Sequence, residues 1–169
     1  MNMNEAIQNR RSIRTFDNRP VEKEKIEQLL RAAMQAPSAA NQQPWEFIVV
    51  ENKETLKKLS NTHIYATPIE NAPLGIIVLL KEEHLIFPMY WQQDLSAATE
   101  NILLEAVELG LGTVWLGIAP EEDRMAYLKN LFNLPQGVNA FAILAIGYST
   151  KNTFEDRFNP SRVHYEKYL

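Results

Sequence analysis

The sequence contains no cysteine. That absence removes disulfides, thiolate nucleophiles, cysteine-ligated metals and iron–sulfur clusters together, and a reducing cytosol is the simplest home for such a chain. Long hydrophobic runs are missing too. None approaches the ~20 residues needed to span a bilayer, and the opening Met-Asn-Met-Asn-Glu lacks the basic-then-apolar plan of a secretory signal. The expectation is a cytoplasmic protein with no membrane partner. Basic charge is also in deficit: 17 Lys plus Arg stand against 21 Asp plus Glu, giving a formal net charge of -4. The surface field then repels nucleic acid on average. Only three histidines occur, and His63, His84 and His164 lie far apart with no metal-ligand spacing. No nucleophile elbow, internal repeat or low-complexity segment is found.

What is present suits one domain. The 169 residues, 46% of them hydrophobic, can form a single core or a protomer that completes its core with a partner. Residues 4–11 read as a short helix with Ala6 and Ile7 inward, and Asp17, Asn18 and Pro20 then turn the chain. From Glu22, the positions Ile26, Leu29, Leu30, Ala33 and Met34 recur at helical spacing, and Pro37 ends that helix. Asn52 can cap a helix over residues 53–59 with Leu56 and Leu59 on its buried side. No clear period marks residues 60–72. Residues 74–80 form a continuous apolar run that suits a central strand covered on both faces.

The longest helix is expected over residues 91–109, with Gly110 and Gly112 as its stop. Leu95, Ala98, Ile102, Ala106 and Leu109 mark one stripe. Leu103, Leu104 and Val107 make its second half apolar nearly all round, so a further covering surface is required, and another subunit could supply it. Residues 110–117 superficially resemble a dinucleotide-binding fingerprint, but there the glycines must follow a strand and open a helix, whereas here they follow a helix and lead into a strand. Pro120 with Glu121, Glu122 and Asp123 fits the start of a helix running to Phe132. Residues 141–148 are a further buried strand. Helices and strands interleave, giving an α/β or α+β protein with helices flanking one sheet. Residues 150–169 form a polar tail whose spaced aromatics, Phe154, Phe158, Tyr165 and Tyr168, imply docking on another surface.

Two stretches carry chemistry. Arg10-Arg11-Ser12-Ile13-Arg14-Thr15-Phe16 gathers three guanidinium groups and a hydroxyl in an acidic chain, and a guanidinium fork matches paired phosphate oxygens. Whether extended, with Ser12 and Arg14 on one side, or helical, with Arg10 above Arg14, it brings two cations to one point. Closing the first helix against its macrodipole is the other reading of Arg10 and Arg11. The second stretch, Ala36-Pro37-Ser38-Ala39-Ala40-Asn41-Gln42-Gln43-Pro44-Trp45-Glu46-Phe47, is a proline-bounded loop, small at its tip and rich in amides. A planar ligand can approach such a backbone closely, with Ser38, Asn41 and Gln43 in its plane. Trp45 is read as a core anchor.

These two motifs, in this order and spacing, together with Leu-Gly-Leu-Gly-Thr-Val-Trp-Leu-Gly after the long helix, resemble the flavin-dependent nitroreductase family over nearly the whole chain. The resemblance implies a short member with an α+β fold, a central mainly antiparallel sheet flanked by helices, and an intertwined homodimer binding FMN at the subunit interface. It implies two-electron transfer from NADH or NADPH to a small-molecule acceptor, such as a nitroaromatic or quinone, by a ping-pong route through flavin N5. By the same resemblance Arg10, Arg11, Ser12 and Arg14 are the phosphate and ring-edge contacts. Pro37, Ser38, Ala39 and Asn41 form the loop laid on the flavin by the other subunit. Trp115, Leu116 and Gly117 line the ring near N5, and Arg157 closes on the phosphate, although relatives often carry an additional lysine beside it. No catalytic side chain is required. Other acceptor chemistries on the same flavin (dehalogenation, enoate reduction, flavin fragmentation), a module that only sequesters or delivers FMN, and a structural protein are the alternatives.

Overall fold

The apolar run over residues 74–80 becomes the centre of a four-stranded sheet. In the computed structural model, which describes residues 3–149 and 156–168, the strands are β1 (Trp45–Val50), β2 (Leu74–Lys81), β3 (Gly112–Gly117) and β4 (Val138–Gly147). Their spatial order is β1-β2-β4-β3, and every neighbouring pair is antiparallel. The helices are α1 (Met3–Asn9), α2 (Lys23–Met34), α3 (Lys53–Ser60), α4 (Trp91–Glu108) and α5 (Glu122–Phe132). This is the α+β architecture with an antiparallel sheet between helical layers. Among the described residues no helix is long and apolar enough to cross a membrane.

The period of two in a strand explains why β2 is apolar without a break. Leu74, Ile76, Val78 and Leu80 enter one core with Leu29 of α2 and Leu95, Ala98 and Ile102 of α4. Ile77 and Leu79 enter the other, with Leu56 and Leu59 of α3 and Leu128 of α5. One irregularity interrupts the pairing of β2 with β4, where Val78 faces Ala142 but Leu79 faces Ala140. Phe141 is the extra residue, and it joins Ala142 on the α2/α4 side. A bulge re-aims a side chain. Here it sets the Phe141 ring edge-on between Trp91 and Trp115, with centroids 5.8 and 5.5 Å away.

Local signals hold at most boundaries. Asn52 caps α3 by accepting a hydrogen bond from the Thr55 N–H at 3.0 Å. Trp45 is buried as an anchor. Gly110 ends α4 with φ of +74°, and the bonds from Gly110 N–H to Val107 (3.0 Å) and from Leu111 N–H to Ala106 (2.7 Å) form a Schellman motif. Lys25 fixes this end further by donating from Nζ to the Leu109 carbonyl at 2.7 Å and to the Tyr148 hydroxyl at 2.8 Å.

Several expectations are corrected. Ile7 is 54% exposed and Met34 50% exposed, because seven-residue α1 buries only Ala6 and the buried stripe of α2 is confined to Ile26, Leu29 and Ala33. Pro120 lies outside α5, which begins at Glu122. The stretch without a period holds a short 3-10 turn, Thr67–Asn71, whose Pro68 and Ile69 are buried. In α4, Leu103 is buried, while Leu104 and Val107 stay half-exposed in the single chain. Phe154 lies outside the described residues.

Candidate functional site

The basic stretch is extended, and it docks on the free edge of β3. Ser12 bridges Thr113 in parallel fashion, and the Ile13 N–H donates to the Thr113 carbonyl at 2.8 Å. The contact is tight enough to demand glycine beside it: a Cβ on Gly112 would stand 2.9 Å from Ile13 Cβ. That is a packing reason for a residue in the glycine-rich passage. Arg10 and Arg11 lie beyond the last residue of α1. Arg10 Nε reaches Glu100 Oε1 on α4 at 3.5 Å. Burial pushes the Glu100 carboxyl above its ordinary value, and Arg10 opposes that shift.

Arg14 then projects to a cleft of about 360 Å³ shared with Trp115, Leu116 and Gly117 of β3, with His63, Tyr65 and Thr67, and with Arg124 of α5. Three expected site residues from one strand thus meet a fourth from the basic stretch. Backbone direction adds donors. The Thr113 carbonyl points to the free edge of β3, and N–H and C=O orientation repeats every second residue, so the N–H groups of Trp115 and Gly117 face that edge too. Arg124 confirms the alternation by donating from Nη1 to the Gly117 carbonyl at 2.9 Å.

The cleft is cationic. Among the described residues its lining carries Arg14 and Arg124 and no carboxylate, in a chain whose net charge is -4. His63 contributes no third charge: burial first, then Arg124, hold its pKa below the ordinary value, against a smaller pull from Asp123. Nδ1 of His63 accepts from the Tyr65 N–H at 3.2 Å, which leaves the proton on Nε2. That Nε2 is buried and has no hydrogen-bond partner among the described residues. An anionic, flat ligand with hydrogen-bonding ring edges fits these donors. Gly117 leaves room beside the strand, since a Cβ there would have no atom of the described residues within 4 Å beyond its chain neighbours.

The other expected residues lie elsewhere. Arg10, Arg11 and Ser12 do not line the cleft, and neither do Pro37, Ser38, Ala39 and Asn41; the turn of the last four is held at the start of α4 by Asp94, whose Oδ1 accepts the Ala39 N–H at 2.9 Å. Arg157 is exposed on the C-terminal segment. A larger groove of about 600 Å³ opens beside α3. Lys53 and Lys57 there are balanced by Glu51 and Glu70, and no residue of the basic stretch borders it, so the smaller cationic cleft is the candidate. His63, Tyr65 and Arg124 were not legible from spacing. His63 and Tyr65 sit in the stretch without a period, and Arg124 follows a run of acids that reads as a solvated helix start.

Known proteins identify the family. The model of the nitroreductase family matches residues 7–73 and 62–148. A protein of Archaeoglobus fulgidus, provisionally named NADH dehydrogenase/NAD(P)H nitroreductase, is 46% identical over 167 residues, covering 96% of each chain. A crystal structure of a Clostridium acetobutylicum protein provisionally called an NADH oxidase superimposes with a TM-score of 0.95 at 53% identity, covering 96% of this chain and 99% of that one. A provisional nitroreductase from Desulfovibrio desulfuricans, solved in complex with FMN, superimposes with a TM-score of 0.84 at 28% identity, covering 100% of this chain and 98% of that one. With a family match across both the basic stretch and the cleft-lining strand, and relatives similar end to end, the chain belongs to the nitroreductase family and is an oxidoreductase.

Proposed function

We propose that this chain binds FMN in the cleft between Arg14 and Gly117 and transfers two electrons from NADH or NADPH to a small electron-poor acceptor, such as a nitroaromatic or quinone. The observation that carries the reading is the meeting of Arg14, Arg124 and the β3 edge at an open glycine. FMN, when bound, supplies the two-electron chemistry at N5 in alternating reductive and oxidative half-reactions. The chain's own residues bind and orient it. Arg10, Arg11, Ser12 and Arg14 hold the phosphate and ring edge through charge-assisted hydrogen bonds. The edge N–H groups of Trp115 and Gly117 face the ring, and Arg157 reaches the phosphate.

The working unit in this proposal is a homodimer. The turn holding Pro37, Ser38, Ala39 and Asn41 serves the neighbouring subunit's flavin, and the tail over residues 150–169 docks on the partner. Half-exposed Leu104 and Val107, and the exposed Phe158, Tyr165 and Tyr168, support this reading. Rapid mixing of the FMN-loaded protein with NADH or NADPH, then with a quinone, tests it. Bleaching of the flavin absorbance followed by its return is expected. A protein that takes up FMN yet is reduced by neither nucleotide would instead be a flavin-sequestering module.

A further inference from the structure

The turn over residues 38–43 is held in a conformation that its residues do not favour. Ala40, Asn41 and Gln43 have φ of 47°, 55° and 45°, in the left-handed region that side chains other than glycine rarely occupy. Such a turn persists only where its surroundings over-determine it. Asp94, in the first turn of α4, is 4% exposed, although a carboxylate is among the costliest groups to bury. Both of its oxygens are engaged with the turn: Oδ1 accepts the Ala39 N–H at 2.9 Å, and Oδ2 accepts Gln42 Nε2 at 2.6 Å.

Gln42 passes the restraint on. Its Oε1 accepts the N–H groups of Ile86 and Phe87 at 3.1 and 2.9 Å, and its Nε2 also donates to the Phe87 carbonyl at 3.1 Å. Within the turn, Ser38 Oγ accepts the Gln43 N–H at 3.0 Å and Asn41 Oδ1 accepts Gln43 Nε2 at 2.9 Å. A buried charge is thus used to fix an exposed turn rather than to join parts of the apolar core. We propose that Asp94 and Gln42 are positioning residues that preset the turn over residues 38–43 as one wall of the flavin site. This rests on the FMN reading above, in which the turn faces the flavin of the neighbouring subunit.

Reciprocal exchange of the two side chains tests the proposal on the full chain. In Asp94→Asn an amide donor opposes the Gln42 amide, and in Gln42→Glu two carboxylates oppose each other. In the double variant the new amide at position 94 donates to the new carboxylate at position 42, which still accepts from the N–H groups of Ile86 and Phe87 but no longer donates to the Phe87 carbonyl. Titration of FMN by quenching of its fluorescence is expected to show each single variant binding about 10-fold more weakly. The double variant should bind FMN more tightly than the combined losses of the two single variants require, because the bond between positions 94 and 42 is re-formed. Single variants that bind FMN like wild type, or a double variant whose loss equals the sum of the singles, overturn the proposal. Should a single variant fail to fold, amide exchange in the unaltered protein decides: slow exchange at Ala39 and Phe87 without FMN is expected, and loop-like rates overturn the idea. A wild-type protein that binds no FMN sinks the flavin reading itself, a result distinct from wild-type binding with insensitive variants.

Discussion

Arg124 Nη1 and the Gly117 carbonyl oxygen lie 2.9 Å apart, tying the first turn of α5 to the last residue of β3 at the mouth of the cleft. The guanidinium does two things from there. It supplies positive charge to the site and helps keep His63 neutral. Arg124→Gln should therefore weaken FMN binding by about 1.5–3 kcal/mol, the range for a hydrogen bond to a charged group. It should also raise the His63 pKa part of the way back, with burial still holding it below 6.5. Titration of the His63 ring protons by NMR reads the second effect, and an unmoved pKa would remove Arg124 as a cause.

The same His63 gives a sign for stability. Its folded pKa is depressed, so as pH falls through 6.5 the unfolded chain takes up a proton that the folded chain does not. Stability contributed by neutral His63 is present above that pH and declines below it. His63→Phe should flatten this part of a denaturation-against-pH profile.

A separate acid limb belongs to Glu22. The Tyr148 hydroxyl donates to its Oε2 at 2.6 Å; that bond first, with a backbone hydrogen bond and Arg19 adding to it, lowers the Glu22 pKa from 4.5 to about 2. The sign is that of a depressed carboxylate: its stabilisation is complete above 4.5 and lost as pH falls toward 2. Tyr148→Phe should make the melting temperature less dependent on pH across that window. An equally steep profile in the variant would show that Tyr148 is not the main cause.

Two glycines separate folding from binding. Gly112→Ala places a methyl against Ile13 at 2.9 Å, so it should cost about 1–3 kcal/mol of stability by overpacking and displace the basic stretch from β3. Gly117→Ala meets no atom of the described residues within 4 Å beyond its chain neighbours. If the flavin lies over Gly117 as proposed, this variant should keep its melting temperature yet bind FMN about tenfold more weakly. Full FMN affinity in Gly117→Ala would place the flavin elsewhere.

Association and cofactor loading should fall together. An obligate homodimer commonly has no stable folded monomer, so dilution is expected to release FMN and unfold the chain in one transition. Light scattering that finds a folded monomer retaining FMN would exclude this. Within such a dimer, Arg10→Ala and Arg14→Ala should each weaken FMN binding by roughly 1.5–3 kcal/mol.

Residue order alone determined the features whose causes are local. Asn52 is a cap because its side chain needs only the nearby Thr55 N–H, and β2 is a two-sided strand because its apolar residues fill both registers of a period of two. The two chemical stretches were visible as concentrations of charge and of small amide-bearing residues. Tertiary structure decided what those stretches meet. Whether the arginines were helical or extended was settled by the free edge of β3 and the glycine that lets Ile13 approach it. His63 and Arg124 lie far apart along the chain and reach one cleft only because the segment leading into the 3-10 turn and α5 pack on the same face of the sheet. Asp94 reads as an ordinary acid in a helix's first turn; only packing reveals that both its oxygens are engaged by a turn distant in sequence. Convergence of this kind leaves no period in the sequence, since it depends on which faces pack and not on spacing along the chain.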